Sequence, residues 1–297
     1  MIEKFLPEYI IKIIRSRLDI SRLYEIRLRA GRPVTVNYDG RYYYLGRSGI
    51  GRDCDGAVTV DVSAIQDVIV RASDFSLYAV YDTIAGGFIT VSGGVRIGIA
   101  GTAVTDGGRV KTLKNFSSVN VRIPHEVKGC ADGLIPFIAD GGVRNTLIVS
   151  PPGCGKTTYL RDIAAAISQK QFNVLVADER AEIAAAHNGV PQLDVGLNSD
   201  VFSGCPKSYA FGCGIRSLRP DVIITDELSC EDFAAAEEAV LSGVRLIASI
   251  HSADIKDVVN KPGISRIVDN RLFERYAVLE GVGRLSGVYD ADLRSLM

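Results

Sequence analysis

Nine consecutive residues, 150–158, have the types and spacing that a phosphate-binding loop requires. Gly153 and Gly155 allow the backbone to fold so that its N–H groups point at a phosphate, and a following helix adds its positive N-terminal end. Lys156 can reach the β- and γ-phosphates, and the Thr157 hydroxyl can bind Mg²⁺. The stretch therefore predicts a Walker A loop for ATP and Mg²⁺, with serine in place of the pattern's first glycine. Its predicted nucleotide-binding residues are Ser150, Pro151, Pro152, Gly153, Cys154, Gly155, Lys156, Thr157 and Thr158.

Two further segments place carboxylates directly after an apolar strand. One strand is followed by Asp226 and Glu227, and another by an acidic cluster that begins at Asp178. In an open α/β sheet, ligands bind outside the carboxyl ends of the strands, where the phosphate loop also lies. Asp226 and Asp178 are therefore predicted to hold Mg²⁺, although solvated acids at strand ends are the alternative. The candidates for the group that orients or deprotonates the attacking water are Glu227, Glu179 and Glu182.

His251 follows the apolar run 244–250 and is one of three histidines in the chain. A single histidine more often has a structural role. At the end of a core strand beside the phosphate edge, an imidazole could sense the γ-phosphate and couple hydrolysis to movement. We therefore predict a catalytic role for His251.

Short strands with alternating apolar and polar residues dominate the first 125 residues. Asp39-Gly40 lies between two of them and predicts a two-residue hairpin turn. Ser63 begins a capping-box pattern, which predicts the start of a helix that runs to about residue 72. This part of the chain is therefore predicted to be a mixed α+β unit.

From residue 145 onwards, apolar runs rich in β-branched residues alternate with helices near 156–169 and 231–242. This alternation is typical of a parallel sheet covered by helices on both faces. We expect two domains, an α+β domain over 1–143 and an α/β P-loop domain over 144–297.

The 297 residues exceed the usual size of one domain, which agrees with this division. With 34 Lys and Arg against 35 Asp and Glu, the net charge of −1 gives no general argument for a nucleic-acid or membrane-surface partner. No stretch has the roughly 20 apolar residues of a membrane span, and the N-terminus lacks a signal-peptide pattern. We therefore expect a soluble, cytoplasmic protein.

Several longer segments match a known family. They are EIRLRAGRP (25–33), GGFITVSGGVRIGIAG (86–101), SPPGCGKTTYLRDIA (150–164), VADERAEIA (176–184) and IRSLRPDVIITDEL (215–228). Through them the chain resembles the stage III sporulation protein AA family over about residues 20–290. That family is similar to the ATPases of type II and type IV secretion systems and of type IV pili. The resemblance implies a RecA-like P-loop NTPase core, a smaller N-terminal α+β domain that makes ring and partner contacts, and a hexameric ring.

The resemblance also implies roles for individual residues. Residues 178–182 correspond to the acidic Asp box of the secretion ATPases, Asp226-Glu227 to their Walker B motif and His251 to their His box. Those ATPases often have Gly-Glu where this chain has Asp226-Glu227, so the choice of catalytic base stays open. Their rings bring arginines from neighbouring surfaces to the nucleotide. The candidates for such arginine fingers are Arg122, Arg216 and Arg219.

The implied function is that of an ATPase motor for a channel between mother cell and forespore during endospore formation. It would act in the mother-cell cytoplasm, peripheral to the membrane through membrane-embedded proteins of the same stage III complex. No nucleic-acid partner is expected.

Two alternative functions stay open. RecA-like cores also drive nucleic-acid motors, and the arginines within residues 15–32, together with the tyrosines at 42–44, could bind a single strand. A P-loop could also belong to a small-molecule kinase or a nucleotide-binding regulator.

Overall fold

The computed structural model describes residues 2–76, 81–260, 264–281 and 283–297. The chain divides into two compact units, Met1–His125 and Glu126–Met297. In the described part of the chain, no helix combines the length and the apolar character that crossing a bilayer requires.

The division comes before the expected boundary between residues 143 and 144. Leu134 and Ile138 belong to a hydrophobic core of the second unit. The carboxylate of Asp162 accepts hydrogen bonds from the N–H groups of Gly129 and Ala131 at 2.9 and 2.8 Å. The connecting segment is therefore part of the second unit, because both its apolar side chains and its backbone N–H groups find their partners there.

The first unit is a mixed α+β structure built on an antiparallel sheet with the strand order β5-β4-β3-β1-β9-β8-β7. A separate small pair joins β2 and β6. The helices are α1 (Glu8–Arg17), α2 (Val62–Ala72) and α3 (Tyr81–Ala85). The strands are β1 (Leu23–Arg29), β2 (Arg32–Pro33), β3 (Thr35–Tyr38), β4 (Arg41–Gly46), β5 (Gly49–Gly51), β6 (Thr59–Val60), β7 (Phe88–Val91), β8 (Val95–Asp106) and β9 (Arg109–Arg122).

Two local predictions for this unit have different outcomes. Asp39 and Gly40 join β3 to β4 with φ angles of 52° and 76°, so the predicted hairpin turn is confirmed. The predicted capping box at Ser63 is wrong. Helix α2 begins at Val62, because the Asp61 carboxylate accepts a hydrogen bond from the Ala64 N–H at 2.8 Å and so caps the helix earlier.

The second unit is a mainly parallel sheet with the strand order β12-β11-β13-β14-β10-β15-β16, and only the last pair is antiparallel. The helices are α4 (Ile135–Ile138), α5 (Lys156–Gln169), α6 (Lys207–Leu218), α7 (Phe233–Leu241), α8 (Ile255–Asn260) and α9 (Ser265–Asp269). The strands are β10 (Thr146–Ser150), β11 (Val174–Asp178), β12 (Ser199–Ser203), β13 (Val222–Glu227), β14 (Arg245–His251), β15 (Arg275–Glu280) and β16 (Arg284–Asp290).

Helices cover both faces of this sheet. Ile148 of β10 belongs to the same core as the buried residues of α5, whereas its neighbours Leu147 and Val149 belong to the core that includes α6 and α7. This follows from the alternation of side chains along a strand. The predicted α/β fold is therefore confirmed. The sequence pattern missed β12, whose five residues are half-buried or exposed, and α6, which contains two glycines.

Helix α6 packs closely on β11 because residue 214 has no side chain. A Cβ at Gly214 would overlap the Leu175 side chain, whereas a Cβ at Gly212 would come only within 3.9 Å of Arg216. We expect Gly214→Ala to lower the free energy of unfolding by about 1–3 kcal/mol through overpacking. Gly212→Ala, the matched control, should raise it by about 0.5–1 kcal/mol, since alanine favours a helix. Urea unfolding measures both changes, and equal effects would contradict this packing argument.

Candidate active site

The predicted phosphate loop lies between β10 and α5, at the carboxyl ends of the parallel strands. Gly153 and Gly155 have φ angles of 77° and 79°, a region that favours glycine. Lys156, Thr157 and Thr158 form the first turn of α5. The backbone therefore turns directly from a buried strand into a helix N-terminus, which is the geometry that anion binding requires.

The Lys156 ammonium is nearly buried, with 9% of the residue exposed. It donates hydrogen bonds to the carbonyl oxygens of Pro151 at 3.3 Å and Ser150 at 3.5 Å. A third hydrogen bond goes to Nδ1 of His251 at 2.7 Å. Burial lowers the pKa of Lys156, while the charge of Glu227 opposes the shift.

Strand register explains why His251 meets this lysine. β14 lies between β10 and β13, and His251 is paired in register with Ser150. Because Nδ1 accepts from Lys156, the ring proton is on Nε2, which lies 3.2 Å from Oε2 of Glu227. Burial and the charge of Lys156 lower the pKa of His251, so the neutral imidazole is favoured.

Glu227 ends β13, and besides His251 it has a cationic neighbour. Nη1 of Arg180, which follows β11, lies 3.5 Å from the same Oε2 atom that faces His251. Lys156, His251, Glu227 and Arg180 therefore form a continuous series of polar contacts from the phosphate loop across three strand ends. The structure brings together Lys156, His251 and Glu227, all of which the sequence had singled out separately.

Asp226 is 7% exposed, and neither carboxylate oxygen has a directed hydrogen bond among the described residues. Nζ of Lys207 lies 3.1 Å from Oδ1 and forms an ion pair without good hydrogen-bond geometry. Burial raises the pKa of Asp226, although the charge of Lys207 opposes this. A buried, incompletely satisfied carboxylate at the phosphate edge fits the oxygen ligand that Mg²⁺ prefers.

Asp178 is fully buried and accepts hydrogen bonds from the backbone of the loop that follows it. Oδ1 accepts from the N–H groups of Glu182 at 2.8 Å and Ile183 at 3.0 Å, and Oδ2 accepts from the Ala184 N–H at 2.9 Å. Both oxygens are therefore engaged within the protein. This differs from the open carboxylate that a metal ligand provides, and it gives Asp178 a structural task that its position in the sequence did not indicate.

Arg161 binds carbonyl oxygens of the loop whose N–H groups Asp178 binds. It is 7% exposed, on α5, and donates to the carbonyl oxygens of Ile183 at 2.5 Å and Glu182 at 2.8 Å. Sequence reasoning missed this arginine, because a helical arginine gives no signal that it is buried. Glu179, by contrast, turns towards Lys207, whose Nζ lies 2.5 Å from its Oε2.

The three candidate arginine fingers lie in different places. Arg216 and Arg219 precede β13, so they lie at the amino ends of the parallel strands, the edge opposite the phosphate loop. Arg122 ends β9 in the first unit, with its Nε 3.9 Å from Glu25. A role of any of them at a nucleotide stays a prediction.

The arginine-rich segment 15–32 carries its own counter-charges. Three of its arginines form ion pairs with carboxylates: Arg15 with Glu3, Arg22 with Asp39 and Arg27 with Glu25. These pairs reduce the positive charge that a nucleic acid would meet. They therefore weaken the argument for the nucleic-acid alternative.

The hydrogen bonds of Asp178 predict a large effect of a small substitution. An asparagine amide can accept through only one atom, so Asp178→Asn leaves a buried N–H without an acceptor. We expect it to lower the free energy of unfolding by about 1–3 kcal/mol. The control is Asp221→Asn, an exposed residue that accepts one N–H, from Asn173. It should cost no more than about 1 kcal/mol, and urea unfolding that finds equal losses would contradict the role of Asp178.

Comparison with known families agrees with this geometry. The profile of the family described as "Sporulation stage III, protein AA" matches residues 1–295. Stage III sporulation protein AA of Bacillus subtilis (strain 168) is 36% identical over 277 residues, which cover 90% of this chain and 87% of that protein.

Comparison with solved structures shows which proteins share this fold. The Legionella pneumophila ATPase DotB aligns with a TM-score of 0.56 and 15% identity, over 98% of this chain and 79% of that one. The pilus retraction motor PilT with bound ADP aligns with a TM-score of 0.59 and 17% identity, over 91% and 76%. At such identities the likeness concerns the fold, a RecA-like P-loop core with a smaller N-terminal α+β unit. By sequence, the chain belongs to the stage III sporulation protein AA family.

Proposed function

We propose that the chain binds ATP with Mg²⁺ at residues 150–158 and hydrolyses it. The observation that carries this proposal is the contact series from Lys156 through His251 to Glu227. A phosphate loop alone would be compatible with simple nucleotide binding. A carboxylate linked to the loop lysine through one imidazole adds a group that can act on water next to the phosphates.

The proposed roles follow from what each side chain contacts. The loop N–H groups and Lys156 bind the phosphates, while Thr157 and Asp226 hold Mg²⁺. Bound Mg²⁺ neutralises charge that develops on the phosphates. Glu227 is the best candidate for the base, because it contacts His251, which in turn contacts Lys156 of the phosphate loop. Glu179 is instead paired with a buried lysine, and the backbone of Glu182 is bound by Asp178 and Arg161.

The finer proposal concerns assembly. We infer a hexameric ring in which an arginine from a neighbouring chain completes the site. The positions of Arg216 and Arg219 support this inference, because the edge at which they lie is opposite the phosphate loop of their own chain. Arg122 ends a strand of the first unit, with 59% of its side chain exposed. It is therefore available to a neighbouring chain.

Family membership supports the cellular role. We propose that the ring is the motor of a secretion-like channel between mother cell and forespore during sporulation. It would act in the mother-cell cytoplasm and dock on membrane-embedded proteins of the stage III complex.

Hydrolysis is tested by two substitutions that separate binding from turnover. Lys156→Ala should weaken ATP binding about 10–100-fold, since a charge-assisted hydrogen bond to phosphate is lost. Glu227→Gln should keep ATP binding and lose about 10²–10⁴-fold in turnover. Calorimetric titration and phosphate release measure the two effects. Matched controls are Lys170→Ala, directly after the same helix, and Glu231→Gln, shortly after β13; both residues are exposed. Full turnover by Glu227→Gln would show that Glu227 is not the base.

Assembly is tested by activity per subunit as a function of protein concentration, with oligomer size measured in parallel. We expect activity to rise steeply as the ring forms, because an arginine in trans can contribute about 10³-fold or more. Arg122→Ala should reduce the activity of the assembled ring, whereas Arg109→Ala, at the other end of β9, should not. Constant activity from a monomer would exclude the ring mechanism and favour the kinase or regulator alternatives.

A further inference from the structure

One buried lysine meets three carboxylates at the edge of the proposed site. Lys207 is the first residue of α6, and its side chain is 4% exposed. Its Nζ lies 2.5 Å from Oε2 of Glu179, 3.1 Å from Oδ1 of Asp226 and 3.9 Å from Oδ2 of Asp232. These partners come from separate segments, which follow β11, end β13 and precede α7. A single ammonium therefore joins the Asp box to the Walker B strand.

The charge on Lys207 persists in spite of its burial. Its Nζ is within hydrogen-bonding distance of the Glu179 carboxylate and forms an ion pair with that of Asp226, and these two negative charges compensate the buried ammonium. Glu179 is the closer partner and Asp226 the more buried one, with 40% and 10% of their side chains exposed. The ammonium is therefore shared between a partly exposed loop carboxylate and a nearly buried strand carboxylate.

A gain in stability does not explain why a buried lysine is paired with these carboxylates. Desolvation of buried ion pairs usually cancels most of their attraction, and apolar residues of similar volume often replace them without loss. What an apolar residue cannot do is hold two carboxylates at fixed positions while keeping a positive charge beside them.

We propose that Lys207 is a positioning residue that orients Glu179 and Asp226 and competes with the nucleotide-bound divalent cation for Asp226. This inference rests on the proposed function. Nζ of Lys207 is 3.1 Å from one oxygen of Asp226. A cation held by the same carboxylate would be repelled by this ammonium. When the cation binds Asp226, the ammonium is retained by Glu179, so cation binding is coupled to the position of the Asp box.

Two substitutions should move the cation requirement in opposite directions. Lys207→Met removes the competing charge and keeps the length of the side chain. The Mg²⁺ concentration for half-maximal binding of a fluorescent ADP analogue should then fall by about fivefold or more, because a positive charge beside the carboxylate that would hold the cation is removed. Glu179→Gln removes the alternative partner of Lys207, which leaves the ammonium on Asp226. The same concentration should therefore rise.

Turnover supplies the second readout. Lys207→Met should lose about 10-fold or more in kcat although it binds Mg²⁺ with nucleotide more tightly, because Glu179 and Asp226 lose their common anchor. Lys207→Arg keeps the charge and should retain the wild-type Mg²⁺ requirement. Lys170→Met, on an exposed site, is the control for the substitution itself, and urea unfolding reports whether each variant folds.

An unchanged or higher Mg²⁺ requirement in folded Lys207→Met would overturn the proposal. If that variant does not fold, a fall or no change in Glu179→Gln overturns it equally. Failure of the proposed nucleotide binding can be told apart from failure of the Lys207 proposal. In the first case the wild type would bind the ADP analogue no better than Lys156→Ala at any Mg²⁺ concentration.

Discussion

The parallel hydrogen-bond register of β10, β14 and β13 is the constraint on which the candidate site depends. Parallel neighbours end at one edge, so the residue that follows each strand is brought to the same place. β14 lies between the other two, and its register with β10 sets His251 opposite Ser150. The imidazole consequently reaches Lys156 on one side and Glu227 on the other. A shift of one residue in β14 would point His251 to the other face and break the series.

Burial of charge is the second constraint. A charged group that leaves water needs a partner of opposite charge or several hydrogen bonds. Asp178 is satisfied by three backbone N–H groups, and Arg161 by two carbonyl oxygens of the same loop. Together they hold residues 182–184 in place. Asp226 is the exception, since its oxygens have no directed hydrogen bond within the described residues, although Lys207 forms an ion pair with it. The site therefore combines a well-anchored loop with one carboxylate, that of Asp226, whose oxygens can still accept a hydrogen bond or bind a cation.

Family membership and fold answer different questions. The match along the chain assigns it to the stage III sporulation protein AA family. The likeness to DotB and PilT, at 15% and 17% identity, describes the architecture in which the loop and strand ends are presented. Chemistry has to come from the residues themselves, and the hydrolysis that we propose depends on Lys156, His251 and Glu227. Among the three candidate bases, the contacts favour Glu227. Glu179 and Glu182 belong to a loop that is held by hydrogen bonds and an ion pair with Asp178, Arg161 and Lys207.

Local features of this protein were determined by sequence alone. Residues 150–158 have glycine at the two positions where the loop has a positive φ, and Asp39-Gly40 are residue types that tolerate the positive φ angles of a hairpin turn. Apolar runs followed by acids located β11 and β13 and the edge at which they end. The tertiary structure decided what those acids contact. Lys207 meets Glu179 from 28 residues away, and Lys156 meets His251 from 95. Such pairs, like the burial of Arg161 and Asp178, arise from packing between distant segments, which no local pattern of residue types encodes.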